Sequence, residues 1–179
     1  STLPSWTQDI HDIRDMKRLF VVRHGKAEAK HPDGDFHRAL APRGQRDAES
    51  LGKWSRGAHV LSSPVLTSAA VRTTQTTALL RKAWQADETA ITVLEEGYLA
   101  SDRAWLGWIN ALDNRHDQAW IVGHNPGLSE LVERLTEQPV WLPTCGMAEV
   151  ELQIDQWDAA FAGVGRLRGL FTPKSSLCP

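Results

Sequence analysis

Cysteine is scarce in this chain, and long hydrophobic runs are missing from it. The 179 residues include only two cysteines, Cys145 and Cys178, too few for a disulfide framework and without the paired spacing of a metal site. We therefore expect a reducing, cytoplasmic location. No apolar run approaches the roughly 20 residues that a membrane helix needs, so no membrane partner is expected. Residues 1–10 also lack the basic start and apolar core of a signal peptide.

Neither sign of charge predominates. Lysine and arginine total 20, aspartate and glutamate total 22, and the formal net charge is −2. A protein that binds nucleic acid or an anionic surface usually carries an excess of positive charge, so we expect no nucleic-acid partner. Any attraction for a phosphate group must therefore be local.

The remaining composition is that of an ordinary globular protein. Hydrophobic residues make up 41% and charged residues 23%, and the length is sufficient for one domain with a sizeable core. Residues 1–17 are polar and aperiodic, and we interpret them as an N-terminal arm. Residues 18–179 contain no repeat, low-complexity run or linker, so they are expected to form a single domain. Nothing in the sequence indicates an oligomeric state.

Apolar periodicity predicts alternating strands and helices. The predicted strands are 18–22, 65–67, 91–94, 120–122, 148–152 and 166–171. The predicted helices are 44–56, 72–84, 101–112 and 128–135, with Ser68 as a candidate N-cap of the second. In 148–152, Glu149 and Glu151 alternate with apolar residues and predict a half-exposed strand. This alternation is typical of a three-layer α/β sandwich, in which helices flank both sides of a mostly parallel central sheet.

Two junctions between a strand and a loop carry histidine. Arg23-His24-Gly25 follows the first predicted strand, and Gly123-His124-Asn125 follows the fourth. Either junction alone also fits an ordinary surface turn. However, the carboxyl ends of parallel strands meet at one edge of a sheet, where α/β proteins bind ligands, so both imidazoles are predicted to face each other. The helix after the second junction adds free backbone N–H groups and a partial positive charge, which favour an anion.

Arg72 is a third candidate for the same site. It lies in the first turn of the helix that follows strand 65–67, and its fork-shaped guanidinium is suited to two oxygens of one phosphate group. Two imidazoles beside guanidinium groups predict phosphoryl chemistry. No spacing of histidine, cysteine or carboxylate matches a standard metal site, so neither a metal nor another cofactor is expected.

Together these segments resemble the histidine phosphatase superfamily, which has the phosphoglycerate mutase-like fold. Arg23-His24-Gly25, segment 68–76 and segment 123–126 occur in the family's order. Stretches 35–44 and 142–148 are similar to segments of the SixA-type phosphohistidine phosphatases, the subgroup that the chain resembles most. The resemblance extends over residues 18–173 and therefore implies the family's α/β sandwich.

The resemblance implies roles for individual residues. His24 would be the nucleophile and form a phosphohistidine intermediate. The implied ligands of the phosphoryl oxygens are Arg23, Arg72 and His124, the last in its protonated form. A carboxylate after the third strand would be the general acid, with Glu95 as first choice and Glu96 as second, although a phosphoramidate substrate reduces the need for one. The implied substrate contacts are Gly25, Arg38, Asn125 and Glu96.

The function implied by the resemblance is the removal of a phosphoryl group from the phosphohistidine of a signalling or phosphotransfer protein. The chain lacks the large cap of relatives that act on bulky small molecules, which predicts an open site suited to a protein side chain. Three alternatives remain: a phosphatase for small phosphate esters, a mutase-like isomerase, which the short chain disfavours, and a phosphate-binding module without turnover. The expected partner is thus a phosphorylated protein or a small phosphorylated substrate.

Overall fold

The computed structural model describes residues 16–59 and 62–173. Residues 1–15, most of the predicted arm, lie outside the described residues. Within those ranges the strands are β1 (Lys17–Arg23), β2 (Val65–Ser68), β3 (Ile91–Leu94), β4 (Gln118–Gly123), β5 (Met147–Leu152) and β6 (Gly165–Phe171). The α-helices are α1 (Pro42–Ser55), α2 (Val71–Trp84), α3 (Asp102–Asn110) and α4 (Gly127–Thr136), and short 3-10 helices occupy Asp35–His37, Glu95–Gly97 and Trp157–Ala159. Every predicted strand and helix is present, although the ends differ slightly.

The strands form one mostly parallel sheet. Its strand order is β3-β2-β4-β1-β5-β6. The four strands from β3 to β1 are mutually parallel, whereas β5 and β6 run antiparallel to their neighbours. β1 and β4 are adjacent, and their register pairs Arg23 with Gly123. Because both strands end at the same level, the residues that follow them begin side by side.

Helices cover both faces of the sheet. Side chains alternate along β1, as they do in any strand. Leu19 and Val21 belong to a buried cluster with apolar residues of α3 and α4, whereas Phe20 and Val22 belong to a second cluster with residues of α1 and α2. The predicted three-layer sandwich is therefore confirmed. None of the helices in the described ranges has the length and apolar character needed to cross a membrane.

The polar face of β5 is less exposed than its alternating pattern predicts. Glu151 is buried and Glu149 is half-buried. Arg18 on β1 lies 3.4 Å from Glu149, and Arg168 on β6 lies 3.3 Å from Glu151. Because β5 runs between β1 and β6, the long side chains of both neighbours cover this face, which the pattern of a single strand does not reveal.

Helix α1 presses against the loop after β1 at Gly44. A Cβ atom at Gly44 would lie 2.0 Å from the carbonyl oxygen of Lys26, and one at Gly25 would lie 2.8 Å from the carbonyl oxygen of Gly44. Real Cβ atoms do not approach backbone so closely. The two glycines therefore allow the helix to support the backbone directly beside His24.

Replacing Gly44 by alanine is expected to destabilise the fold. Overpacking costs about 1–3 kcal/mol, which exceeds the gain of about 0.5–1 kcal/mol from the higher helix propensity of alanine. Gly107 in α3 is a matched control, because a Cβ there meets nothing within 4 Å. Gly107→Ala should raise the free energy of unfolding by about 0.5–1 kcal/mol. Urea unfolding measures both changes, and an equal stabilisation by the two variants would contradict the close contact at Gly44.

Candidate active site

A cleft opens where the parallel strands β1, β2 and β4 end. Its volume is about 470 Å³, and its lining residues are Arg23, His24, Lys26, Ala27, Asp35, Arg38, Arg72, Leu99, His124, Asn125 and Thr144. Four of these carry a permanent positive charge and only Asp35 a negative one. The charge needed to attract a phosphate is thus concentrated here, although the whole chain is slightly acidic.

His24 presents a lone pair to this cleft. Its Nδ1 lies 2.7 Å from the carbonyl oxygen of Gly25. A carbonyl oxygen only accepts, so Nδ1 carries the ring proton and Nε2 is left unprotonated. In agreement, Nε2 accepts a hydrogen bond from Nε of Arg72 at 3.3 Å. The side chain is 7% exposed.

Burial and neighbouring cations keep the His24 imidazole neutral. Desolvation is the largest cause, and the charges of Arg72, Arg23 and Arg38 add to it, so the pKa of His24 is lowered to about 4. The hydrogen bond to Gly25 opposes this effect without cancelling it. At neutral pH the ring therefore keeps an unprotonated Nε2, which a nucleophilic role requires.

His124 lies beside His24, as the sequence predicts. The two ring centroids are 5.3 Å apart. Burial, followed by the charges of His24 and Arg72, lowers the pKa of His124 to about 3. Its Nε2 is 2.7 Å from Oγ of Ser68, while Nδ1 is buried and has no hydrogen-bond partner among the described residues.

The prediction that Ser68 caps α2 is wrong, because Ala70 is the N-cap residue and Ser68 is the last residue of β2. Its Oγ accepts the N–H of Ala70 at 3.2 Å, so its own proton is available for Nε2 of His124. Ser68 is therefore a site residue that the sequence motif assigned to another role.

Arg23 and Arg72 supply the guanidinium groups of the cleft. Arg23 donates through Nη1 to the carbonyl of Leu142 at 3.1 Å, whereas its Nε is buried without a partner among the described residues. Burial, with the charge of Arg72, lowers the pKa of Arg23, which nevertheless starts so high that the group stays charged. Arg72 is 3% exposed and reaches the cleft from the first turn of α2, as predicted.

Asp35 anchors two of these arginines. It accepts from Nη2 of Arg72 at 3.0 Å and from Nε of Arg38 at 2.8 Å, and its Oδ2 also accepts the hydroxyl of Tyr98. The Tyr98 hydrogen bond is the largest cause that holds the pKa of Asp35 well below its usual range, and Arg38 and Arg72 reinforce it. Burial and the hydrogen bond to Asp35 raise the pKa of Tyr98.

Sequence reasoning did not include Asp35 or Tyr98 among the site residues. Asp35 precedes Arg38 by three positions in a loop, a spacing that allows an ion pair. Tyr98 is the only tyrosine of the chain and follows the third strand. Neither signal reveals that both side chains meet beside Arg72.

The structure does not bring the two predicted acids to the cleft. Glu95 and Glu96 are exposed and do not line it. They start a 3-10 turn after the edge strand β3, in which the buried Gly97 packs against Ser68, since a Cβ there would lie 3.0 Å from the Cα of Ser68. Leu99, which follows this turn, lines the cleft instead.

The remaining predicted contacts shape the cleft. Gly25 donates its N–H to Oγ1 of Thr76 at 3.1 Å, so this amide is not free for a substrate. Asn125 donates to the carbonyl of Leu142 at 2.7 Å and accepts from Oγ of Ser129 at 2.6 Å. Arg38 lines the cleft, but Asp35 and the carbonyl of Glu28, at 2.7 Å, hold its donors.

The donors that face the cleft suit an oxyanion. In residues 16–59 and 62–173, no group of three or more histidine, cysteine or carboxylate side chains is placed to hold a metal ion. A neutral imidazole lone pair instead lies beside charged guanidinium groups. In addition, Nε of Arg23 and Nδ1 of His124 have no hydrogen-bond partner in the part of the chain that the structure describes. Such an arrangement can bind a phosphoryl group and attack its phosphorus.

Comparisons with known proteins agree with this geometry. Residues 19–100 match the model of the histidine phosphatase superfamily (branch 1). The uncharacterized protein Rv1276c of Mycobacterium tuberculosis (strain ATCC 25618 / H37Rv) is 29% identical over 169 residues, which cover 86% of this chain and 100% of that protein. A crystal structure from Agrobacterium tumefaciens, assigned to the phosphohistidine phosphatase SixA, is 26% identical with a TM-score of 0.73, covering 88% of this chain and 98% of the other.

The fold is also that of the protein histidine phosphatase SixA in its complex with tungstate. The TM-score is 0.75 at 24% identity, and the alignment covers 88% of this chain and 97% of the other. The region that matches the family model contains Arg23, His24 and Arg72, and the shared sheet brings His124 beside them. The N-terminal half of the domain is thus similar in sequence to the histidine phosphatase superfamily, and the fold of most of the chain is similar to that of SixA.

Proposed function

We propose that this protein hydrolyses the phosphohistidine of a cytoplasmic signalling or phosphotransfer protein through a phosphoryl intermediate on His24. The match of residues 19–100 to the histidine phosphatase superfamily supports phosphatase activity in general. The observation that carries the finer proposal is the buried, neutral ring of His24, whose unprotonated Nε2 lies beside Arg72. A side chain on a protein surface can enter the open cleft, and the two structural neighbours carry the names phosphohistidine phosphatase and protein histidine phosphatase.

In the first step, the Nε2 lone pair of His24 attacks phosphorus. A P–N bond forms to His24 while the P–N bond to the substrate imidazole breaks, and its electron pair stays on the departing ring nitrogen. Nε of Arg72 must turn from Nε2 to a phosphoryl oxygen at this point. Arg23 and His124 bind further oxygens, and each fixed donor typically contributes about 10²–10³ in rate.

In the second step, water attacks the phosphoryl group on His24 and releases phosphate. Nδ1 of the phosphorylated ring still donates to the carbonyl of Gly25, which stabilises the positive charge of that ring. A positively charged ring leaves as neutral imidazole without receiving a further proton. The same reasoning applies to a substrate phosphohistidine, and it explains how the cleft works without Glu95 or Glu96 in its wall.

The first test uses a carrier protein phosphorylated on histidine. We expect the wild type to release phosphate and His24→Ala to be slower by about 10³-fold or more, because the variant lacks the nucleophile. His31→Ala is the control, since it removes an exposed imidazole that does not line the cleft. Acid-labile label on His24 during turnover would support the intermediate. Release of phosphate only from small esters would favour the small-ester phosphatase instead.

A second prediction concerns the charge of the imidazoles. NMR titration should give a pKa of about 4 for His24 and about 3 for His124. A bound dianion favours the protonated ring, so tungstate should raise the pKa of His124, and tungstate affinity should increase as the pH falls. The control is His59, whose pKa burial also lowers to about 4 but which does not line the cleft. A tungstate shift at His59 and none at His124 would contradict this assignment.

Stability should follow the same histidines. Their pKa in the folded state lies below the unfolded value of about 6.5, so the unfolded chain binds more protons between pH 6.5 and pH 4. The free energy of unfolding should therefore fall as the pH is lowered through this range, by at most about 1.4 kcal/mol per pH unit for each histidine. Urea unfolding at pH 7 and pH 5 measures this change. Between these two pH values, the free energy of unfolding of His124→Asn should fall by less than that of the wild type.

A further prediction concerns the acidic turn. Glu95→Gln and Glu96→Gln should each hydrolyse phosphohistidine within about threefold of the wild-type rate, as for most surface substitutions. For comparison, the rates of both variants and the wild type are also measured on a phosphate monoester with a poor leaving group. Loss of phosphohistidine turnover in both variants would restore a carboxylate of this turn as the general acid.

A further inference from the structure

A carboxylate in the wall of a phosphate-binding cleft is unexpected. Asp35 repels a phosphate dianion, whereas the other charged side chains of the cleft, Arg23, Lys26, Arg38 and Arg72, attract it. Its side chain is 46% exposed, so it stands at the mouth of the cleft rather than in the core. The proposed reaction assigns no chemical step to it.

This carboxylate is held rigidly. Oδ2 accepts from Arg72 and Tyr98, and Oδ1 lies 2.8 Å from both Nε and Nη2 of Arg38. An ionised carboxylate offers about four acceptor positions, and these contacts occupy them. Asp35 therefore stays ionised at neutral pH and also neutralises the charge of Arg38.

Arg72 places Asp35 relative to the nucleophile. Its Nε contacts Nε2 of His24, while Nη1 and Nη2 contact the backbone oxygen and Oδ2 of Asp35 at 2.8 and 3.0 Å. In-line displacement directs the leaving group away from the buried His24, hence toward the open mouth. Among the residues that line the cleft, Asp35 alone carries a negative charge, so a group that departs through the mouth passes this carboxylate.

We propose that Asp35 determines which leaving groups the cleft accepts, by disfavouring a second anionic group next to the phosphoryl group. Neutral or cationic groups, such as the imidazole ring of phosphohistidine, pass this charge without penalty. A carboxylate or second phosphate, as in small acidic esters, is repelled by Asp35 and finds Arg38 already paired. This specificity rests on the proposed function only in that the phosphoryl group binds next to His24.

A role as a mere anchor of Arg72 and Arg38 makes a different prediction. Loss of an anchor weakens every phosphoryl ligand by a similar factor, because each uses the same guanidinium groups. Loss of a repelling charge changes affinity according to the charge of the ligand. Comparison of ligands of similar length that carry a negative, zero or positive charge at the far end therefore separates the two roles.

The experiment measures displacement of tungstate by three phosphonates at pH 8.5: 3-phosphonopropionate, propylphosphonate and 3-aminopropylphosphonate. None contains a hydrolysable P–O–C or P–N bond, so a failure of the proposed phosphohistidine activity does not affect the result. We expect the wild type to bind the amine more tightly than the carboxylate. In Asp35→Asn the ratio of the two dissociation constants should fall by about fivefold or more, because the unit charge is gone.

Tyr98→Phe is the matched control. It removes one hydrogen bond of Asp35 but keeps the charge, so its ratio should stay within about twofold of the wild type. A ratio unchanged in Asp35→Asn, or changed equally in both variants, overturns the proposal. Independently of any variant, raising the salt concentration to about 0.5 M should reduce the wild-type ratio, since screening weakens an exposed charge; a salt-independent ratio also overturns it.

Discussion

The parallel pairing of β1 with β4 is the constraint on which the site depends. The register pairs Arg23 with Gly123, and the N–H of His24 extends the pairing by donating to the carbonyl of Gly123 at 3.2 Å. Each strand therefore delivers its imidazole at the same level, and the ring centroids lie 5.3 Å apart. A slip of one residue would send each side chain to the opposite face of the sheet.

Burial and positive charge act together on these imidazoles. Desolvation alone favours a neutral ring, and the neighbouring guanidinium groups make protonation still less favourable. The same guanidinium groups are the proposed ligands of the phosphoryl oxygens, so in the proposed reaction one arrangement both keeps His24 neutral and attracts its target. The backbone carbonyls of Gly25 and Leu142 orient His24 and Arg23, and they do so without adding a negative charge to the site.

Contacts between loops determine how the arginine side chains are arranged in the cleft. Arg72 and Arg38 would repel each other beside one anion, but the carboxylate of Asp35 holds both, and Tyr98 holds Asp35. These contacts join the loop after β1, the first turn of α2 and the turn after β3 into one rim. The close packing of α1 at Gly44 supports the loop after β1, which is part of that rim. The outer helix layer therefore contributes to the site, although no residue of α1 lines the cleft.

The sequence by itself determined the alternation of strands and helices, the two histidines at strand ends and Arg72 at a helix start. These features depend on local periodicity and on the rule that parallel strands end at one edge. Only the tertiary structure decided that Ser68 contacts His124 instead of capping a helix, and that Glu151 is buried. It also decided that Asp35 and Tyr98 meet at the cleft, whereas Glu95 lies outside it. Such contacts join segments far apart in the chain, and the turn after β3 changes direction at Gly97 because that residue packs on Ser68, a neighbour that no local pattern encodes.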